Sequence, residues 1–134
     1  MHRSLKYSRI ALPLLQCECI LIHLYNPFPC DIINIYRSPS ICYEKLLADL
    51  STIISYCLSD SIIVVGDFNI DIFKTNISLL SDPHLSFTQI ITTPTTPQGS
   101  LLDHIYVKGV SILKSGVYPQ LFSDHFSTYL ICNK

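Results

Sequence analysis

The sequence predicts an α/β domain, and three observations carry that expectation. Ile62 to Asp71 reads Ile-Ile-Val-Val-Gly-Asp-Phe-Asn-Ile-Asp. A continuous apolar run bounded by polar turn residues is the pattern of a strand buried on both faces. Directly before it, Ile41 to Leu58 carries Leu46, Leu47, Leu50, Ile53, Ile54 and Cys57 at the spacing of a helix with one core-facing stripe. Before that helix, Asp31 to Tyr36 reads as another strand. The order strand, helix, strand points to an α/β arrangement.

The bulk properties bound the rest. A chain of 134 residues has room for one domain, here taken as 1–134. Hydrophobic residues make up 49% and charged residues 14%, which excludes a disordered tail. So little surface charge suggests that part of the apolar surface meets a partner or a further segment. The net charge of −1 gives no basic signature for nucleic acid, although a bound cation would supply local positive charge. The six cysteines include no Cys-x-x-Cys pair, so they read as free thiols of a reducing compartment.

At the amino terminus, Arg3, Lys6 and Arg9 precede a short apolar run that Gln16 and Glu18 interrupt, with no clean cleavage site for a leader. No stretch reaches transmembrane length without a polar residue. The expectation is an intracellular protein of nucleus or cytoplasm, with no membrane partner.

Taken in order, residues 1–13 are mixed and read as irregular up to Pro13. Leu14 to Tyr25 is rich in Cys, Ile and Leu and reads as a strand, with a short helix as the alternative. Asn26-Pro27-Phe28-Pro29 is a turn, which makes Asp31 to Tyr36 antiparallel to that strand. Ser40 is placed to cap the helix, with Glu44 near its positive end. Ile72 to Leu80 suggests a short helix ended by Asp82-Pro83. Phe87 to Thr93 is expected to be extended, and Thr92 to Gly99 is a loop by composition. Leu101 to Val107, Ile112 to Tyr118 and Phe126 to Cys132 read as the last strands, the first two joined by a Lys108-Gly109 turn.

Alternation along an extended chain would project Asp67 and Asn69 together from the end of the central strand and turn Phe68 toward the core. In open α/β sheets, ligands bind outside the carboxyl ends of strands. Two more acid-bearing stretches lie at strand edges, Leu102-Asp103-His104-Ile105 and Ser123-Asp124-His125, and Tyr36 ends another strand. A carboxylate such as Asp103 within an apolar stretch needs a partner. Together these groups have the chemistry of metal-assisted phosphodiester hydrolysis. Carboxylates hold a hard cation, a carboxylate handles the attacking water, and a histidine donates to phosphoryl oxygens.

The order Tyr36-Arg37-Ser38-Pro39, Gly66-Asp67-Phe68-Asn69, Leu102-Asp103-His104-Ile105, Ser123-Asp124-His125 resembles the endonuclease/exonuclease/phosphatase superfamily. Within it, the endonuclease domain of non-LTR (LINE-type) retrotransposons looks closest. The resemblance runs from about Leu14 to the end. It implies a two-sheet α/β sandwich, here with the later strands and helices only, and DNA as the partner. By position it implies that Asp67 acts on the attacking water or the leaving group and that Asn69 orients the phosphate. Tyr36 would bind a phosphate oxygen. His125 would contact the scissile phosphate, with Asp103 fixing its ring, and Asp124 would help hold Mg²⁺ or Mn²⁺. Arg37 suggests a phosphate contact by charge alone.

The family's early asparagine and metal-binding glutamate have no match in this chain, since Glu18 and Glu44 are its only glutamates. Weak metal binding and poor nuclease activity are the corresponding expectation, together with a sheet edge open to another chain. Two other readings stay open, a catalytically inactive remnant that acts as an interaction module and a small-molecule phosphatase of the same superfamily.

Overall fold

The structure is a computed structural model that describes residues 4–75 and 85–134. Among these it forms β1 (Lys6–Ile10), β2 (Glu18–Asn26), β3 (Cys30–Tyr36), α1 (Tyr43–Ser55), β4 (Ile62–Asp67), β5 (Thr88–Gln89), β6 (Asp103–Lys108), β7 (Ser111–Tyr118) and β8 (Ser127–Asn133). Six strands make a mixed sheet in the order β1-β2-β3-β4-β6-β5, and β7 and β8 pair as a separate sheet. Among the described strands only β3 and β4 run parallel, because α1 is the crossover between them.

Three layers follow from the alternation of side chains. On the central strand, Ile62 and Val64 join a core with Leu46, Leu50 and Ile53 of α1. Ile63 packs on the opposite face with Ile105 and Val107 of β6, and Leu130 and Cys132 of β8 pack against that cluster. The strand is therefore buried from both sides, as its unbroken apolar run requires. The helix stripe is the expected one with one addition. Asp49 is buried within it, where its carboxylate accepts the Cys17 N–H at 2.7 Å. The cysteines are free, as expected.

Several sequence expectations are corrected. Residues 6–10, read as irregular, form an antiparallel edge strand against β2. An edge strand uses its hydrogen bonds on one side and keeps charged groups outward, so it shows little apolar alternation. Leu14 to Gln16 precede β2 rather than joining it, and Leu14 is fully exposed. The helix begins later than expected, with Cys42 rather than Ser40 at its N-cap. The Ile41 N–H closes a turn onto the Ser38 carbonyl at 3.0 Å, and the Ser40 hydroxyl lies 3.0 Å from that of Ser38. Of the extended stretch expected over Phe87 to Thr93, only Thr88–Gln89 pairs as a strand. Ile72 to Lys74 form a turn, and the remainder of the helix expected up to Leu80 lies largely outside the described residues. No described helix is long and apolar enough to cross a membrane.

Candidate active site

Strand pairing builds one row of functional groups. In the parallel pair Tyr36 is the register partner of Asp67, and in the antiparallel pair Asp67 is the partner of Asp103. Three adjacent strand ends thus present Tyr36, Asp67 and Asp103 side by side. The close approach of β3 and β4 depends on Gly66. Its φ is +154°, and an added Cβ would lie 1.8 Å from the Ile35 carbonyl oxygen. Phe68 then turns inward and is fully buried, as alternation predicts.

His125 reaches this row from the other sheet. It sits just before β8, and its Nδ1 lies 2.8 Å from Asp103 Oδ2. An ionised carboxylate only accepts, so the ring nitrogen donates. The other ring nitrogen, Nε2, lies 3.8 Å from Asp67 Oδ2. Burial alone would lower the pKa of His125. The Asp103 hydrogen bond and the charges of Asp103, Asp67 and Asp124 outweigh it, so the value is raised. Asp67 is also raised, chiefly by burial and further by the Asp103 charge, against the pull of the Asn69 N–H, His125 and Arg37.

Asn69 occupies the left-handed region at φ 51°, which asparagine tolerates better than most residues. Its N–H donates to Asp67 Oδ1 at 2.9 Å, an Asx-type turn that steadies the carboxylate. Its side-chain amide donates to the Arg37 carbonyl at 2.7 Å. The expectation that Arg37 meets phosphate is corrected. Arg37 is buried, with the residue only 8% exposed, and its guanidinium donates to the carbonyls of Phe68 at 2.6 Å, Asn69 at 2.8 Å and Ile41. Arg37 fastens the loop after β3 to the loop after β4. Charge alone could not distinguish that role from an exposed one.

Asp67, Asp103 and His125 each offer one ligand atom within 4.8 Å of the others, the donor set that could hold a cation among the described residues. Its carboxylate oxygens suit Mg²⁺ or Mn²⁺. Asp124, expected as a metal ligand, is exposed and lies outside that set, where it contributes to the field on His125. Tyr36 is 42% exposed beside the row. The structure thus brings Asp67, Asp103 and His125 into contact, with Asn69 and Tyr36 adjoining.

His104, next to Asp103 in sequence, faces the other way. It is buried, stacked on Phe68 with ring centroids 4.7 Å apart, and lies with Nε2 2.9 Å from the Ile70 carbonyl. Burial lowers its pKa, so it stays neutral at pH 7 as a core residue. Sequence reasoning missed Thr95, which is fully buried and holds the start of β6. Nothing in the run Thr92 to Gly99 separates it from its neighbours.

The sequence model of the Endonuclease/Exonuclease/phosphatase family matches residues 30–125. No curated protein matches the chain. Among solved structures, it is similar to the endonuclease domain of TRAS1, a telomere-specific non-LTR retrotransposon, at a TM-score of 0.74 and 12% identity over 97% of this chain and 67% of that one. A functionally unknown conserved protein from Enterococcus faecalis V583 gives 0.63 at 17% identity, over 96% of this chain and 65% of that one. The inositol polyphosphate 5-phosphatase domain of a synaptojanin, in complex with inositol (1,4)-bisphosphate and calcium ion, gives 0.63 at 16% identity over 96% and 54%. The chain therefore spans between about half and two-thirds of these neighbours' lengths. At such identities the likeness is one of fold.

Proposed function

The chain belongs to the endonuclease/exonuclease/phosphatase family, and from that premise we propose that its site hydrolyses a phosphodiester bond of DNA as a metal-dependent endonuclease of retrotransposon type. The observation that carries this reading is His125, held by Asp103 and turned toward Asp67 from the opposite sheet. The TRAS1 likeness favours the retrotransposon branch.

Asp67 takes a proton from the attacking water, a role favoured by the raised pKa of its carboxylate. Oxygen of that water bonds to phosphorus, the bond from phosphorus to the departing sugar oxygen breaks, and the alkoxide takes a proton from solvent to leave as the alcohol. His125, whose protonated form is favoured by its carboxylate neighbours, donates a hydrogen bond to a phosphoryl oxygen as charge builds there. Asn69 and Tyr36 orient the phosphate through neutral donors. Asp67 and Asp103 are the carboxylates that would hold Mg²⁺ or Mn²⁺, which when bound would offset charge on the phosphate and the leaving oxygen. The chain also offers the edge strand β1 for pairing with another chain.

Matched chromogenic phosphodiester and phosphomonoester substrates test the reaction class. The reading requires Mg²⁺- or Mn²⁺-dependent turnover of the diester that Asp67→Asn removes. Turnover confined to the monoester would replace it with a phosphatase.

A further inference from the structure

We propose that Thr95 is the positioning residue of this site, a single buried residue that sets Asp103 and His125 relative to each other. The inference rests on the reading of Asp103 and His125 as the working pair.

The two side chains come from different sheets. Asp103 opens β6 of the large sheet, and His125 precedes β8 of the small one. No regular strand pairing joins β6 to β8. Packing of Leu130 and Cys132 against the cluster of Ile105 and Val107 holds the sheets face to face, and a directional bond near the site can set the two backbones for the 2.8 Å side-chain contact.

Thr95 makes that connection with two of its atoms. Its Oγ1 accepts the N–H of Leu102 at 3.0 Å and the N–H of Asp103 at 3.1 Å. Its carbonyl oxygen accepts the N–H of Phe126, the residue after His125, at 2.7 Å. Its own N–H donates to the Ser100 carbonyl at 2.9 Å, which closes the loop beneath it. One side of the residue therefore holds the backbone of Asp103, and the other holds the backbone beside His125. The residue is 0% exposed, so water does not replace any of these bonds when one is lost.

The neighbouring Thr96 is an internal control. It is also buried, but its hydroxyl lies 2.6 Å from the Ser100 hydroxyl, and the Ser100 N–H donates to it at 3.2 Å. Those bonds stay within the loop and reach neither Asp103 nor His125. A loop that merely stabilises the fold would make both threonines equally important to the pair.

The test compares Thr95→Val, Thr95→Ser and Thr96→Val in the full chain by NMR. Valine keeps the shape and removes the acceptor, whereas serine keeps the acceptor. Two readouts are followed, the downfield ring N–H signal of His125 and the hydrogen exchange of the Leu102 and Asp103 amides. In Thr95→Val the signal should broaden or vanish, and those amides should exchange about tenfold faster, the equivalent of one lost hydrogen bond. Thr95→Ser and Thr96→Val should keep the ring signal. Thr95→Val with an unchanged ring signal overturns the proposal, as does loss of that signal in Thr96→Val to the same degree. Should Thr95→Val not fold, Thr95→Ser decides, since loss of the ring signal in folded Thr95→Ser would contradict a role that needs only the hydroxyl. None of these readouts depends on turnover, so the proposal and the nuclease reading can fail separately.

Discussion

The His125 ring donates from Nδ1 to Asp103 Oδ2 across 2.8 Å, and this bond joins the small sheet to the large one at the candidate site. It also sets the charge state of the histidine. Burial disfavours the imidazolium, but the Asp103 bond and the surrounding carboxylates raise the pKa above its ordinary value. A raised histidine pKa adds stability that is fully present below the unfolded-state value and is lost as pH rises through the folded-state value. Asp103→Asn should therefore lower the His125 midpoint in an NMR titration. It should also remove the part of the unfolding free energy that declines across that window. An unchanged midpoint would count against the pair.

The pH dependence of turnover should show both groups. Asp67 acts unprotonated, and its pKa is raised, so the acid limb should lie above that of an ordinary carboxylate. His125 acts protonated, so the alkaline limb should lie above an ordinary histidine value. Asp103→Asn should move the alkaline limb to lower pH. Limbs at ordinary carboxylate and histidine positions would contradict these assignments.

Gly66 and Gly99 separate close approach from backbone conformation. At Gly66 an added Cβ meets the Ile35 carbonyl oxygen at 1.8 Å, whereas at Gly99, with φ +89°, nothing lies within 4 Å. Gly66→Ala should cost more than about 4 kcal/mol and leave little folded protein. Gly99→Ala should cost on the order of 1 kcal/mol, from backbone strain alone. Urea denaturation measures Gly99→Ala beside the folded yield of Gly66→Ala, and a Gly66→Ala variant as stable as Gly99→Ala would refute the distinction.

Arg37 is expected to behave as a structural residue. Its guanidinium joins the carbonyls of Phe68, Asn69 and Ile41, so Arg37→Lys, which keeps the charge, cannot restore the planar set of bonds. We expect Arg37→Lys to lose about 2 kcal/mol in denaturant unfolding, from buried carbonyls left without donors. A stable variant with weakened DNA binding would instead return Arg37 to the phosphate.

The parts of this architecture that were legible in the sequence are those where a residue's own pattern decides its place. The apolar run of β4 and the stripe of α1 each carry their periodicity in full, and Gly66-Asp67-Phe68-Asn69 marks its strand end. The Asp103 to His125 contact could be anticipated because a carboxylate beside an apolar run needs a partner. What stayed hidden depends on neighbours distant in sequence. Edge strand β1 is defined by β2 and not by its own alternation. Arg37 and Asp49 look like surface charges until the carbonyls and the Cys17 N–H that they meet are known. Thr95 is one of four threonines in a short loop and is singled out only by the strands around it.

The most direct test of the central claim is relaxation of supercoiled plasmid by the purified chain in Mg²⁺ or Mn²⁺, beside His125→Ala under identical conditions. Nicking that EDTA abolishes is expected, and His125→Ala should lower it at least about a hundredfold, the scale of losing one transition-state donor. Nicking at equal rates in both proteins, or none above background in either, would contradict it.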